Sequence, residues 1–224
     1  SRLAIIFMEE IVANCTHGID LHAGSHHRKN LPHIRACLGY EATEKLAFAF
    51  GAPVILNADL RNGSLRQAVE EEGIPMLLYE AGEALRFDEF AVRAGVKGIL
   101  SVMRSLGMLT SRSVRMSRIQ PMVASSTSWV RAPGSGILRT QIPLGGKIVI
   151  SQKIGEIADP FDEDETAVIS PIAGIVIGRM NLPLVHKGDA LFNVAGFDDS
   201  VAVSESLDEF KEEIKESMPS PATG

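Results

Sequence analysis

The sequence predicts an α/β protein with a mostly parallel sheet, followed by a small all-β module. Three observations lead to this prediction. Apolar segments of strand length alternate with helical segments through residues 1–110, an arrangement typical of parallel sheets. The composition changes at residues 111–128, which are rich in serine and contain a proline. A weak internal repeat then runs from Ala132 to Val194.

Hydrophobic periodicity predicts the elements of residues 1–110. The helices have apolar residues at helical spacing, and capping residues mark their ends: Ser64 is placed to cap one helix that Gly73 ends. The strands are short apolar runs typical of buried parallel strands. The predicted order is helix Ser1–Asn14, strand Gly18–His22, helix Glu41–Phe50, strand Pro53–Leu56, helix Ser64–Glu72, strand Ile74–Tyr79 and helix Asp88–Leu106.

Composition and charge exclude several classes of function. The 224 residues are 45% hydrophobic, 22% charged and 5% aromatic, which is ordinary for a globular protein with a large aliphatic core. The net charge of −6 argues against a nucleic-acid partner, since phosphate binding needs clustered Lys and Arg. No stretch has the roughly 18 consecutive apolar residues that a membrane span requires. We therefore expect neither a nucleic-acid nor a membrane partner.

The chain has two cysteines, Cys15 and Cys37, and both lie in apolar sequence. Such a pair is typical of reduced, buried residues rather than of a disulfide. A reducing compartment keeps thiols free, so we expect the protein to be cytoplasmic.

Two polar residues end predicted strands and are candidates for chemistry. In parallel α/β sheets ligands bind beyond the carboxyl ends of the strands, where His22 and Glu80 lie. A strand holds His22 rigidly, as a metal ligand must be held, and Asp20 faces the same side and can orient it. Partial burial is expected to raise the pKa of Glu80 and suit it to general-base catalysis. Taken alone, each is also consistent with a structural role, as a hydrogen-bonded histidine or a solvated glutamate.

Other polar residues near these strand ends receive different interpretations. The segment 23–30 is predicted to be a loop, and His26, His27 and His33 to be exposed loop residues. Glu83 is predicted to cap the turn that follows it.

Three arginines, Arg28, Arg35 and Arg66, lie in segments near the same strand ends. A guanidinium fork can bind a substrate carboxylate. Taken alone, each arginine is more typical of a surface ion pair.

The second half of the chain has the features of a small all-β module. The segment Ala132–Leu138 repeats as Ser170–Val176, and two such units describe a barrel-sandwich of the biotinyl/lipoyl type. Carriers of that type need a lysine at a hairpin tip, and the corresponding tip, Asp159–Glu165, has none, which argues against a carrier. Residues 204–218 are predicted to form an exposed acidic helix and residues 219–224 a frayed tail.

Three segments together resemble the zinc and catalytic segments of the succinylglutamate desuccinylase/aspartoacylase family, relatives of the zinc carboxypeptidases. They are Asp20–Ser25, Arg28–Arg35 and Tyr79–Glu83. The resemblance implies a zinc-carboxypeptidase-like fold, a Zn2+ cofactor and hydrolysis of the amide bond of an N-acyl amino acid or related small molecule. It implies that His22 is a zinc ligand and that Glu80 is the general base that takes a proton from zinc-bound water.

The resemblance extends these expectations to substrate binding. Arg28, Asn30 and Arg66 are the candidates for binding the substrate, and Asp20 for orienting the metal ligand. Acetylated diaminobutyrate, succinylglutamate and acetylaspartate are substrates that the family suggests, and all three stay open.

The sequence departs from the family at one point. Family members carry an upstream His-x-x-Glu motif that supplies two more zinc ligands. The printed sequence has no such motif, and the segment most similar to it is His186–Asp189. We expect the missing ligands and the first strands of the sheet to lie in polypeptide preceding Ser1, and the sheet to expose an edge or a face that needs covering. A noncatalytic binding module or a pseudoenzyme is the alternative.

The sequence divides into four predicted parts, and two roles stay open for the β module. The β module is expected either to restrict access to the site or to mediate assembly of a homo-oligomer. The predicted parts are the C-terminal part of a deacylase catalytic domain (1–110), a linker (111–128), the β module (129–196) and an acidic helix with its tail (197–224).

Overall fold

The protein has a mixed α/β fold with a large central sheet. The computed structural model describes residues 2–60, 62–110, 119–161, 165–198 and 200–216. The helices are α1 Arg2–Ile6, which continues as a π-helical turn Phe7–Ile11 and a 3-10 turn Val12–Asn14, α2 Glu41–Phe50, α3 Leu65–Glu71, α4 Glu89–Ser105 and α5 Ser200–Glu216. The strands are β1 Gly18–Gly24, β2 Arg28–Ala36, β3 Val54–Asn57, β4 Met76–Glu83, β5 Met122–Ala124, β6 Ser126–Arg131, β7 Gly136–Thr140, β8 Lys147–Ile148, β9 Lys153–Ala158, β10 Glu165–Ile169, β11 Gly174–Met180, β12 Leu184–Val185 and β13 Ala190–Gly196.

The central sheet has nine strands and runs through both halves of the chain. Its main path is β1-β4-β2-β11-β13-β6, with β3 and β5 joined at β2 and β8 joined at β11. Strands β1 and β4, β2 and β3, and β3 and β5 pair in parallel, whereas β2 is antiparallel to both β4 and β11. Three of the four pairings among β1–β5 are parallel, so this part of the sheet is mostly parallel as predicted, but the antiparallel place of β2 was not predicted. The physical reason is that β2 begins directly after a short turn, and so tight a turn reverses the chain.

Helices α2 and α4 cover one face of this sheet, and their limits follow the local signals in the sequence. Helix α2 ends at Gly51 in the left-handed conformation, with φ of 76°. The Ser64 hydroxyl accepts a hydrogen bond from the Gln67 N–H and caps α3 as predicted. The core between helices and sheet is built from apolar side chains of both, among them Ile34, Leu46, Phe50, Leu77, Tyr79 and Val102.

The first strand and the helix before it leave apolar surface in solvent. Leu3 is 79% exposed, and Val12, the buried residue of this helical segment, packs with Val69, Ile74 and Met76 in a small apolar cluster. Strand β1 pairs with β4 and, within the described residues, with no strand on its other side. Leu21 is accordingly exposed rather than buried. The exposed edge that was expected from the sequence is present.

The β-rich half contains two four-stranded arrangements with the same strand order. One is the separate sheet β10-β9-β7-β12, and the other is the end β6-β13-β11-β8 of the central sheet. Strand β8 of the first repeat pairs with β11 of the second, and β12 of the second pairs with β7 of the first. The two repeats therefore exchange strands around one apolar core.

The C-terminal helix α5 is packed against the core and is not exposed as predicted. Its buried residues are Val203, Leu207, Phe210 and Ile214, which belong to the apolar clusters of the central sheet, and the helix contacts α4 and β11. The spacing of these four residues follows the helical period. The prediction gave more weight to the many acidic residues around them and so missed this apolar face. Residues 217–224 lie outside the described part of the chain.

Two further predictions concern the linker and the cysteines. Strand β5 and the start of β6 lie inside the segment 111–128 that was predicted to be a linker, whereas residues 111–118 are not described. Strands from both halves share the central sheet, and the predicted domain limits stay a prediction. Both cysteines are free, but Cys15 is exposed rather than buried.

None of the described helices is long and apolar enough to cross a bilayer.

Candidate active site

Three adjacent strands place polar side chains on one face of the sheet. His22 of β1 and His33 of β2 are both in register with Glu80 of β4, which lies between them. Residues in register on neighbouring strands share a face, and such strands lie about 4.8 Å apart. The Tyr79 hydroxyl donates to the Ala91 carbonyl of α4 at 2.8 Å, so the next residue, Glu80, faces away from that helix. The candidate site is thus the sheet face opposite α4.

The Glu80 carboxylate contacts two side chains of β2. The Asn30 amide nitrogen donates a hydrogen bond to one carboxylate oxygen at 2.9 Å, and the Arg35 Nε forms an ion pair with the other at 3.8 Å. The side chain of Glu80 is only 15% exposed. The hydrogen bond and the ion pair both favour the charged carboxylate, and the hydrogen bond limits its orientation. Glu80 lies inside β4, which continues to Glu83, rather than at the strand end that was predicted.

His22 is oriented by a carboxylate on its own strand. Its Nε2 lies 2.9 Å from Asp20 Oδ2, as expected for side chains two residues apart on one face. When Nε2 carries the proton of this hydrogen bond, Nδ1 has the lone pair that a metal ion needs. The His22 side chain is 45% exposed, so that nitrogen is open to a ligand.

The described residues do not complete a metal site around His22. Catalytic zinc is usually held by three protein ligands. Within the described ranges, no group of three or more His, Cys, Asp and Glu side chains is placed to hold a metal ion. His22 therefore has the chemistry of a single ligand but not of a whole site.

The residues predicted to bind substrate are in three different environments. The Asn30 side chain contacts Glu80. The Arg28 guanidinium donates to the Ser25 hydroxyl at 3.3 Å and lies 5.7 Å from the centre of the Trp129 ring on β6. Arg66 is buried on α3, and its Nη2 donates to the Asp59 carbonyl at 2.8 Å. The structure thus brings Asn30 to Glu80, and gives Arg28 and Arg66 contacts elsewhere.

The environments of two titratable residues near the site were predicted incorrectly. His33 is a buried residue of β2, 1% exposed, rather than an exposed loop histidine. Glu83 is buried at the end of β4 and accepts a hydrogen bond from the Asn181 amide at 2.9 Å, so it is not a solvated cap. Alternation along β2 is the signal that would have placed Arg35 and His33 on the Glu80 face. His26 and His27 do lie on the exposed turn between β1 and β2.

His33 is predicted to weaken the fold as the pH falls. Burial lowers its pKa from 6.5 to about 4, against the hydrogen bond of Nδ1 with the Leu31 carbonyl, and the Arg35 charge adds to the lowering. Between these pH values the unfolded chain binds a proton that the folded chain does not bind. When the pH is lowered from 7 to about 4.5, the free energy of unfolding is therefore expected to fall by about 2 to 3 kcal/mol less in His33→Gln than in the wild type. Urea unfolding at the two pH values measures this difference. His186→Gln, at an exposed histidine, is the control and should keep the wild-type pH dependence.

A cavity of about 330 Å3 lies beside the site, between β1 and α4. Its lining is mainly apolar, with Leu21, Val92 and Ile99 among the residues; His22 lines it and Glu80 does not. The cavity therefore reaches the His22 end of the candidate site but not Glu80.

Comparison with known proteins gives the class of the fold first. The chain superposes on the ectoine utilization protein EutE (DoeB) from Ruegeria pomeroyi, apo form, with a TM-score of 0.78, 20% identity and coverage of 87% of this chain and 64% of that one. A succinylglutamate desuccinylase/aspartoacylase from Rhodobacter sphaeroides gives a TM-score of 0.73 at 23% identity, covering 88% and 62%. A succinylglutamate desuccinylase from Silicibacter sp. TM1040 gives 0.74 at 18% identity, covering 87% and 62%. The chain spans 62 to 64% of the length of these three structures, which share its mixed α/β fold with a central sheet.

A sequence match agrees with this fold. Residues 1–106 match the family model described as the succinylglutamate desuccinylase/aspartoacylase catalytic domain. The matched segment contains Asp20, His22, Asn30 and Glu80. Over these residues the chain is similar to the succinylglutamate desuccinylase/aspartoacylase family. A sequence search of curated proteins gives no match.

Proposed function

We propose that the chain forms the C-terminal part of a deacylase catalytic domain that hydrolyses the amide bond of an N-acylated amino acid or a related small molecule. The observation that carries this proposal is the arrangement of His22, Glu80 and Asn30 on three adjacent strands of the segment that matches the family model. Acetylated diaminobutyrate, succinylglutamate and acetylaspartate are the candidate substrates.

In this proposal Glu80 is the general base. It takes a proton from the water that attacks the acyl carbonyl and returns it to the leaving amine. Asn30 occupies one carboxylate oxygen at 2.9 Å. The other oxygen, 3.8 Å from the Arg35 Nε, is the one we assign to proton transfer. Arg28 and Arg66 are retained as candidates for binding the substrate carboxylate.

We further propose Zn2+ as the cofactor, with His22 as one of its ligands and Asp20 orienting the imidazole. The hydrogen bond of 2.9 Å between these two side chains supports the assignment, because carboxylates commonly orient metal-binding histidines in this way. The remaining ligands have to come from polypeptide outside the described residues, since those residues do not complete the set.

The test of this proposal uses the full translation product of the gene, purified with zinc. We expect release of free amine from at least one of the three candidate substrates, loss of that activity after chelation, and recovery after zinc is restored. A protein that holds zinc in equal molar amount and hydrolyses none of a broad panel of N-acylated amino acids would contradict the proposal.

A noncatalytic binding module is the second candidate function. The observation that favours it is that no three-ligand metal group occurs within the described part of the chain. The same preparation distinguishes the two functions, because a noncatalytic module would retain an N-acylated amino acid in equilibrium dialysis without binding zinc or releasing amine.

We propose that residues 129–196 form a barrel-sandwich module of the biotinyl/lipoyl type that restricts access to the site. The exchanged strands of the two repeats and the contact of Trp129 with Arg28 support this proposal. Assembly of a homo-oligomer through the module is its alternative role. The free thiols of Cys15 and Cys37 fit a cytoplasmic protein, which is the location that we propose.

A further inference from the structure

A pocket of about 390 Å3 lies between the start of β2, the start of α4 and the helix α5. Four of its lining side chains are cationic and one is acidic. The cations are Lys29, Arg179, Lys211 and Lys215, and the acid is Asp88. The whole chain has a net charge of −6, whereas the side chains that line this pocket carry a net positive charge.

Two of the cations face each other across neighbouring strands. Lys29 of β2 and Arg179 of β11 are directly opposite in an antiparallel pair, so their side chains share a face. Like charges in this position destabilise a sheet. Lys29 has a partner, because its Nζ lies 2.7 Å from Asp88 Oδ2. One carboxylate therefore balances one of the two opposed charges.

The Arg179 guanidinium has an unused donor. Its Nη2 donates to the Asn181 side-chain oxygen at 3.3 Å. Its Nε is buried and has no hydrogen-bond partner within the described residues. A buried N–H of a charged group without an acceptor is unfavourable, and an oxygen from a ligand would remove that penalty.

The two lysines of α5 form only exposed ion pairs within their own helix, which a ligand can replace. Lys211 Nζ lies 2.9 Å from Asp208 Oδ1, and Lys215 Nζ lies 2.6 Å from Glu212 Oε1. Both pairs join residues three apart on the helix, and both acidic side chains are largely exposed. Exposed pairs of this kind contribute little to stability, so a bound anion competes with them easily.

The pocket cations and the candidate active site lie on opposite faces of β2. The Lys29 side chain turns to the N-terminal cap of α4 through Asp88, whereas the side chain of the next residue, Asn30, turns to Glu80. Successive residues of a strand face opposite sides, which agrees with these contacts. Asn30 also borders the pocket, but its side-chain amide donates to Glu80. A ligand held by Lys29 and Arg179 would therefore lie on the opposite face of β2 from Glu80.

We propose that this pocket is a binding site for a small oxyanion, either phosphate or a small carboxylate. The planar fork of Arg179 suits oxygens of both groups, and the lysines supply point charges around it. The cations come from β2, β11 and α5, so a bound anion would link both halves of the chain and the C-terminal helix. The site is independent of the proposed deacylase reaction.

The experiment is isothermal titration calorimetry of the chain with inorganic phosphate and, separately, with malonate. Ionic strength is held constant with sodium chloride, which screens charge without offering oxygens. We expect saturable binding of at least one of the two anions, and the one that binds identifies the source of the oxygens. Arg179→Gln is expected to weaken that binding by about tenfold or more, since it removes a charge-assisted donor.

Three further variants locate the site. Lys211→Gln, on the surface of α5, removes a pocket cation without touching the core and should weaken binding several-fold. Arg139→Gln, at an exposed arginine of β7, should bind like the wild type. Glu80→Gln should also bind like the wild type, whatever its effect on hydrolysis. Absence of saturable binding of both anions, unchanged affinity in the two pocket variants, or loss of binding in Glu80→Gln would overturn the proposal.

Discussion

Replacing Glu80 by Gln is expected to lower kcat for amide hydrolysis by about 10²- to 10⁴-fold, the usual contribution of a positioned general base. Glutamine has nearly the same size, and its side-chain oxygen can still accept the hydrogen bond from Asn30, but it cannot take a proton in the reaction. KM and zinc content should therefore stay close to the wild-type values. The measurement is steady-state kinetics and metal analysis of the gene's full translation product.

The control for this prediction is Glu72→Gln. Glu72 is an exposed carboxylate that follows α3, so its loss should leave kcat unchanged. Undiminished hydrolysis in Glu80→Gln would remove Glu80 from the general-base role. Loss of zinc from the same variant would instead indicate that Glu80 is a metal ligand.

The elements predicted correctly from the sequence are those whose limits are set locally. Ser64 and Asp88 accept hydrogen bonds from backbone N–H groups three residues later, and Gly51 supplies the left-handed conformation that ends α2. Such signals need only neighbouring residues, so they can be identified without knowledge of the fold. The limits of α2, α3 and α4 were predicted to within one residue for this reason.

Strand β2 shows why the sheet could not be predicted in the same way. Its first residues are polar and were taken for a loop. Lys29 and Asn30 are accommodated in the strand by partners far along the chain, Asp88 and Glu80. A partner fifty or more residues away leaves no local signal, so the antiparallel pairing of β2 with β4 and β11 was missed.

The candidate site could also be predicted only in part from the sequence. Asp20 and His22 share a face by the alternation of a strand, and parallel pairing brings His22 beside Glu80. Arg35 and His33 belong to the site only once β2 is known to be a strand, because that pairing places them on the Glu80 face. The sequence therefore identified the two central residues, while their supporting residues required the structure.

Replacing Gly174 by Ala is expected to lower the free energy of unfolding by about 3 to 5 kcal/mol. Gly174 has φ of 155°, and an added Cβ would lie 2.1 Å from the Ala195 carbonyl oxygen in the neighbouring strand. That oxygen is a backbone atom of a paired strand, so it cannot move without disturbing the ladder. Gly136, the equivalent residue of the first repeat, would meet the Ala158 carbonyl oxygen at 2.4 Å. Urea unfolding of Gly174→Ala and Gly136→Ala measures both losses.

Gly188→Ala separates the close approach of the strands from the backbone conformation. Gly188 also has a positive φ, 92°, but no atom lies within 4 Å of a Cβ built there, so only conformational strain of about 1 to 2 kcal/mol is expected. Equal losses at Gly174 and Gly188 would show that φ alone requires glycine. A larger loss at Gly174 and Gly136 would show that both repeats keep glycine because strands β7 and β11 start against the backbone of β9 and β13.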